Sequence, residues 1–231
     1  RIRKINGFPQ DRLIGIGVDR LDYTKGILER FLAVERLLEL EPQWIGKFTF
    51  VQIAAPSRSS IDQYQHFEAD VRALTAKINR RFSREGYDPI CLKIEHHEPA
   101  QVYEYYRGSN LCFVSSLHDG MNLVAKEFVA ARDDERGVLI LSQFTGASKE
   151  LLEALIVNPY DIDQCAAALK FALEMPMIEQ SNRMRNMRSF VQEFNVYWAG
   201  RMLLDAARIR QRTRLFGRPE TKSLDIPRIL P

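Results

Sequence analysis

Short apolar runs alternate along this chain with longer stretches in which apolar residues recur every three or four positions. The runs Leu13–Val18, Phe48–Ile53, Ile90–Ile94, Leu111–Val114, Val138–Leu141 and Ile156–Pro159 have strand length and are bounded by polar or turn-forming residues. After the first run, Ile27, Phe31, Val34, Leu37 and Leu38 line one helical face, which stops before Pro42. A long amphipathic helix is expected from about Ile61 to Arg84, with Tyr64, Phe67, Val71, Leu74, Ile78 and Phe82 as its stripe. Val102, Tyr105 and Tyr106 give a third helix behind Pro99. Leu123, Val124, Phe128, Val129 and Ala131 give a fourth. A short helix over Lys149–Leu155, one carrying Cys165, Ala168, Leu169 and Ala172, and two more over Ile178–Asn195 and Tyr197–Leu215 complete the pattern. Six strands alternating with helices predict an α/β chain built on a doubly wound parallel sheet.

Sheets of that kind bind ligands in the crevice outside the carboxyl ends of their strands. The residues that follow each strand are therefore the place to look for chemistry. After the fourth strand comes Ser115–Phe128, read as a tight polar loop running into a helix. Gly120 permits the turn, and Asn122 and its neighbours stand at a helix N-terminus, where unpaired N–H groups form an anion site. Asp119 just before that end and Glu127 on the first turns add acids that accept sugar hydroxyls, a combination suited to a nucleotide sugar; an ordinary βα loop is the alternative. After the first strand, Arg20 and Lys25 bracket a tight loop. They can neutralise a diphosphate, or else pair on the surface with Asp19 and Asp22. Gly15 and Gly17 precede the loop, so the G-x-G-x-x-G dinucleotide fingerprint is absent. Arg58 follows the second strand, as a further cation or an exposed loop arginine. His96 and His97 follow the third, flanked by Glu95 and Glu98, but neighbours on an extended chain point apart and converge poorly on a metal. The shared placement of these groups on one edge favours a phosphate-rich ligand.

Composition narrows the class. The 231 residues are 45% hydrophobic and 27% charged, with net charge +3, ordinary for a globular protein able to bury a sizeable core. The positive excess sits near the end, at Arg201, Arg208, Arg210, Arg212, Arg214, Arg218 and Lys222, without a nucleic-acid motif. It reads as a solvated helix face. Cys91, Cys112 and Cys165 lack metal-ligand spacing and read as small buried hydrophobes in a reducing compartment. With neither a transmembrane run nor a signal peptide in the sequence, a cytoplasmic location is expected. Arg1–Asp11 is polar and linker-like, and from Gly217 the chain is polar and proline-containing.

Two stretches carry a family resemblance. Gly17-Val18-Asp19-Arg20-Leu21-Asp22-Tyr23-Thr24-Lys25-Gly26 and Asp119-Gly120-Met121-Asn122-Leu123-Val124-Ala125-Lys126-Glu127 resemble the two signature segments of trehalose-6-phosphate synthases, retaining glycosyltransferases of the GT-B fold. The similarity runs from about Leu13 to Phe216. It implies the C-terminal, Rossmann-like half of a GT-B fold, with 1–12 a linker from an absent N-terminal domain, 13–216 the nucleotide-sugar-binding domain and 217–231 a polar tail. It implies UDP-glucose as donor, glucose 6-phosphate as acceptor, and no cofactor or metal. The implied donor residues are Arg20, Lys25, His97, Asp119, Asn122, Leu123, Val124, Ala125, Lys126 and Glu127. Arg20, Lys25 and Asp119 would carry the chemistry, and Arg58 would reach the acceptor phosphate. The alternatives left open are a sister enzyme with another acceptor such as glycerol 3-phosphate, a non-catalytic sugar-nucleotide sensor, GDP in place of UDP, and self-association through the terminal helix.

Overall fold

The computed structural model describes residues 1–56, 62–194 and 201–210. Contacts divide the chain into a compact unit, Arg1–Val191, and a second unit, Gln192–Pro231, in which 201–210 are helical. The segment read as a linker opens with a short helix, α1 (Ile2–Ile5), and Ile2 is buried in a core cluster. Ile2, with Phe8 packed against the same cluster, gives that polar stretch a partner surface, which periodicity over so few residues does not reveal.

Six parallel strands form one sheet: β1 (Leu13–Arg20), β2 (Phe48–Ala55), β3 (Ile90–Lys93), β4 (Leu111–Val114), β5 (Val138–Ser142) and β6 (Leu155–Val157). Their spatial order is β3-β2-β1-β4-β5-β6, the doubly wound Rossmann order with its reversal between β1 and β4. The remaining helices are α2 (Ile27–Leu40), α3 (Asp62–Phe82), α4 (Pro99–Gly108), α5 (Leu123–Ala131), α6 (Ile162–Glu174) and α7 (Met177–Glu193). The expected short helix over Lys149–Leu155 is instead a 3-10 turn at Gly146–Lys149, and Leu155 already belongs to β6.

Alternation along the strands builds a core on each face. Phe48, Phe50, Leu111, Phe113 and Ile140 meet Phe31, Val71, Ile78 and Leu169 from α2, α3 and α6. Ile14, Ile16, Val51, Cys112 and Leu139 meet Tyr106, Phe128 and Met184 from α4, α5 and α7. A parallel sheet covered on both faces explains why its strands read as unbroken apolar runs.

The register places the crevice. β1 pairs with β2 over its whole length, from Leu13 opposite Phe48 to Arg20 opposite Ala55. With β4 it pairs only at Gly15–Leu111 and Ile16–Cys112. Beyond Ile16 the two strands part, and the connections on either side of the reversal lead to opposite faces. The gap this leaves lies at the carboxyl edge.

Candidate active site

A cavity of about 540 Å³ fills that gap. It is lined from β1 and its loop by Val18, Asp19, Arg20 and Lys25, and from β2 by Ile53 and Ala55. His96, His97 and Val102 contribute from the β3–α4 side, and Asp119, Met121, Asn122, Leu123 and Val124 from the β4–α5 loop.

The β1–α2 loop is shaped by its own sequence. Asp22 caps a 3-10 turn at Tyr23–Lys25, its Oδ1 accepting from the Thr24 N–H at 2.9 Å and the Thr24 hydroxyl at 2.8 Å. Gly26 follows at φ 64° and starts α2, and a Cβ there would lie 2.1 Å from the Ser115 carbonyl oxygen. Only glycine lets the two loops approach so closely. Neither surface pairing considered for Arg20 and Lys25 forms. Asp22 is used in the turn, and Asp19 is buried against Arg30. Lys25 Nζ instead lies 2.7 Å from Asp119 Oδ2, across the crevice. Arg20 is exposed and has no ion pair among the described residues.

The facing loop is equally constrained. The Asp119 N–H donates to the Phe144 carbonyl at 3.2 Å, and the Gly146 N–H donates back to the Asp119 carbonyl at 3.1 Å. Asn122 has φ 72°, left-handed for a residue with a side chain. Its Oδ1 accepts from the Ala125 N–H at 3.0 Å, capping α5, while its Nδ2 donates to Asp119 Oδ2 at 3.1 Å. The cap thus also aims the carboxylate, an observed outlier of the sort that gathers at functional sites. The N–H groups of Leu123 and Val124 open α5 with no carbonyl a turn behind them, and both residues line the cavity.

Burial works to raise the Asp119 carboxyl, but Lys25, Asn122 and the Met121 N–H outweigh it and hold the group below its ordinary value. A folded-state value below the unfolded one of about 3.9 stabilises the fold above that pH, and the contribution disappears as the carboxylate protonates on acidification. Lys25→Met is therefore expected to lower the urea midpoint at about pH 7, with the gap from the unchanged protein narrowing toward about pH 3. A gap that stays constant with pH would exclude this coupling.

Seven of the ten expected donor residues line the cavity: Arg20, Lys25, His97, Asp119, Asn122, Leu123 and Val124. Ala125, Lys126 and Glu127 do not. Lys126 Nζ is tied to Glu150 at 2.5 Å, and the Glu127 carboxylate accepts from the buried Tyr106 hydroxyl at 3.2 Å. Burial, with Cys112 and Glu127 nearby, pushes the Tyr106 phenol far up, so it stays a donor. The His97 ring is largely buried and packs edge-on against Tyr105, whereas the His96 side chain is exposed. Among the described residues no three His, Cys, Asp or Glu groups converge as a metal site would need. Arg58 lies outside the described residues. Asp19, Ile53, Ala55, His96, Val102 and Met121 also line the cavity and were not among the expected residues. Ile53 and Ala55 were findable from the strand-end rule, since β2 ends there.

A family model for glycosyltransferase family 20 matches residues 1–208. The chain belongs to glycosyltransferase family 20. Among its relatives, the trehalose-6-phosphate synthase of Klebsiella pneumoniae is 44% identical over 198 residues, which cover 85% of this chain and 42% of the relative. The crystal structure of a UDP-forming α,α-trehalose-phosphate synthase from Burkholderia xenovorans in complex with glucose 6-phosphate matches with a TM-score of 0.84 at 41% identity, covering 88% of this chain and 45% of that one. An E. coli structure described as trehalose-6-phosphate bound with UDP-2-fluoro glucose matches with a TM-score of 0.85 at 39% identity, covering 88% and 46%. This family 20 chain thus spans somewhat less than half the length of the relatives it matches. The expectation of a Rossmann-like sheet forming one half of a GT-B fold agrees with these neighbours. No helix among the described residues is long and apolar enough to cross a membrane.

Proposed function

We propose that this chain supplies the donor site for glucosyl transfer from UDP-glucose to glucose 6-phosphate, yielding trehalose 6-phosphate with retention at the anomeric carbon. The observation that carries the reading is the cluster at the β1–β4 crevice, where Arg20, Lys25, Asp119 and the N-terminus of α5 line one cavity in a family 20 chain. The bond to be broken joins an anomeric carbon to a diphosphate, and negative charge develops on the leaving oxygen. Preorganised cations there lower the barrier most. Lys25 Nζ has three N–H donors, of which one is directed at Asp119, leaving two for phosphate oxygens. Arg20 offers its fork from the end of β1. The Leu123 and Val124 N–H groups meet the same diphosphate.

In this reading Asp119 accepts from hydroxyls of the transferred glucose, Glu127 holds the ribose, and His97 stands where the chain meets the base. Arg58 reaches the acceptor phosphate. The leaving phosphate takes the acceptor's proton on the same face of the sugar, so no carboxylate nucleophile is required, in contrast to most retaining glycosidases. The acceptor side is completed by a further domain, and the chain by itself is expected to bind UDP weakly and to transfer little or nothing. Glucose 6-phosphate is preferred over other acceptors because a relative 41% identical has been crystallised with it.

Calorimetric titration of the chain with UDP, GDP and UDP-glucose tests the reading. UDP is expected to bind, and Arg20→Ala to weaken it about tenfold, or about 1.4 kcal/mol. Tighter binding of GDP, or equal binding by Arg20→Ala, would count against the donor assignment.

A further inference from the structure

Under the crevice lies an arginine with 0% exposure, Arg30 on the second turn of α2. Each guanidinium nitrogen has a partner. Nη1 donates to Asp19 Oδ2 at 2.8 Å and to Gln52 Oε1 at 2.6 Å, Nε donates to Ser115 Oγ at 3.0 Å, and Nη2 donates to the Lys25 carbonyl at 3.4 Å. Ser115 Oγ passes the link on, donating to the Gly26 carbonyl at 2.6 Å. The fold makes room for this group. A Cβ on Gly17 would lie 2.2 Å from Arg30 Nη1, so β1 is bare where the guanidinium enters.

Burying a guanidinium carries a penalty of several kcal/mol, and an apolar side chain of similar volume would fill the same space without it. Arg30 also sits among the apolar core positions of α2, where the pattern alone would place a leucine or methionine. What the arginine supplies that a leucine cannot is a fork with fixed geometry. Its arms join the end of β1 (Asp19), the middle of β2 (Gln52), the end of β4 (Ser115) and the main chain of the Lys25 loop. These are the walls of the crevice and the residue that spans it.

We propose that Arg30 is a positioning residue. By holding the Lys25 carbonyl directly and the Gly26 carbonyl through Ser115, it fixes where Lys25 Nζ stands over Asp119 and, on the donor-site reading above, over the donor diphosphate. Arg30 touches neither substrate nor reacting atoms and acts only through Lys25.

The test uses Arg30→Lys, which keeps a charge for Asp19 but loses the fork, and Ser115→Ala, which removes the hydroxyl that relays Arg30 to the Gly26 carbonyl at 2.6 Å and the Lys25 carbonyl at 3.2 Å. The first measurement needs no ligand: the Asp119 carboxyl is titrated by carbon-13 NMR. The groups facing Asp119 are Lys25, Asn122 and the Met121 N–H, and the last two are untouched by either variant. A displaced Lys25 is expected to raise the Asp119 midpoint by about one pH unit in Arg30→Lys, and by less in Ser115→Ala. A midpoint unmoved in both cooperatively folding variants overturns the proposal. The second measurement is a cycle on UDP affinity. Arg30→Lys is expected to weaken UDP about tenfold alone and in an Arg20→Ala background, but to add almost nothing in a Lys25→Ala background. The same loss in all three backgrounds would mean that Arg30 merely supports the fold, and would overturn the proposal. A shifted Asp119 midpoint with UDP bound by none of the proteins would uphold the positioning and sink the donor reading instead.

Discussion

On the donor-site proposal, replacing Lys25 with alanine is expected to slow glucosyl transfer about 10²–10³-fold in a protein carrying both halves of the fold, the magnitude of removing one preorganised stabiliser of a developing oxyanion. Lys25 stands at the end of a tight 3-10 turn, with its main chain held from below by Arg30 and its amine held from above by Asp119. On the donor-site proposal it meets the charge that grows on the diphosphate without having to move. Such an interaction strengthens as the bond breaks, so the loss should fall on kcat more than on KM for UDP-glucose. Steady-state rates across a donor range check this. A variant with kcat intact and only KM raised would show that Lys25 serves ground-state binding alone.

Gly26→Ala is expected to lower folding stability by about 3 kcal/mol or more. Two terms combine. The residue keeps φ at 64°, where alanine is strained, and the new methyl would sit 2.1 Å from a backbone oxygen of Ser115. That oxygen cannot retreat freely, because the Ser115 side chain is bonded to Arg30 and to Gly26 itself. Gly86 provides the internal comparison. It has φ 66°, but a methyl carbon added there would meet nothing within 4 Å, so Gly86→Ala should show only the conformational part, about 1 kcal/mol. Urea unfolding of the two variants separates strain from collision, and equal losses would show that the Ser115 contact is dispensable.

The sheet was legible because a strand covered on both faces needs an unbroken apolar run, and Phe48–Ile53 or Val138–Leu141 have no competing reading. The strand-end rule then brought Arg20, Lys25, His97 and Asp119 to one edge. What stayed hidden were polar residues whose partners are far away in sequence. Asp19 and Arg20 ended the apolar run and so read as loop, yet they continue β1 opposite Ala54 and Ala55. Arg30 was not singled out although it falls among the apolar positions of its helix, since a charge on an amphipathic helix ordinarily points to water. Its burial depends on Gly17 and on Ser115, 85 residues away, and no periodicity records that. Ile2 was lost in the same way, as one of a few scattered apolar residues in a polar stretch whose partner surface is built by distant elements.

The placement of β1 between β2 and β4 also governs how the chain comes together as it is made. β1 can zip onto β2 soon after both emerge, but its other edge waits for β4, whose pairing begins 96 residues later at the contact of Ile14 with Asn110. At about 5–20 residues per second, that wait lasts roughly 5–20 s on the ribosome. During it the Gly15–Ile16 edge is unprotected, and Lys25 has no Asp119 to meet. The crevice therefore comes into being only when the second half of the sheet docks, so the nascent chain acquires the pairing of Lys25 with Asp119 in one late step.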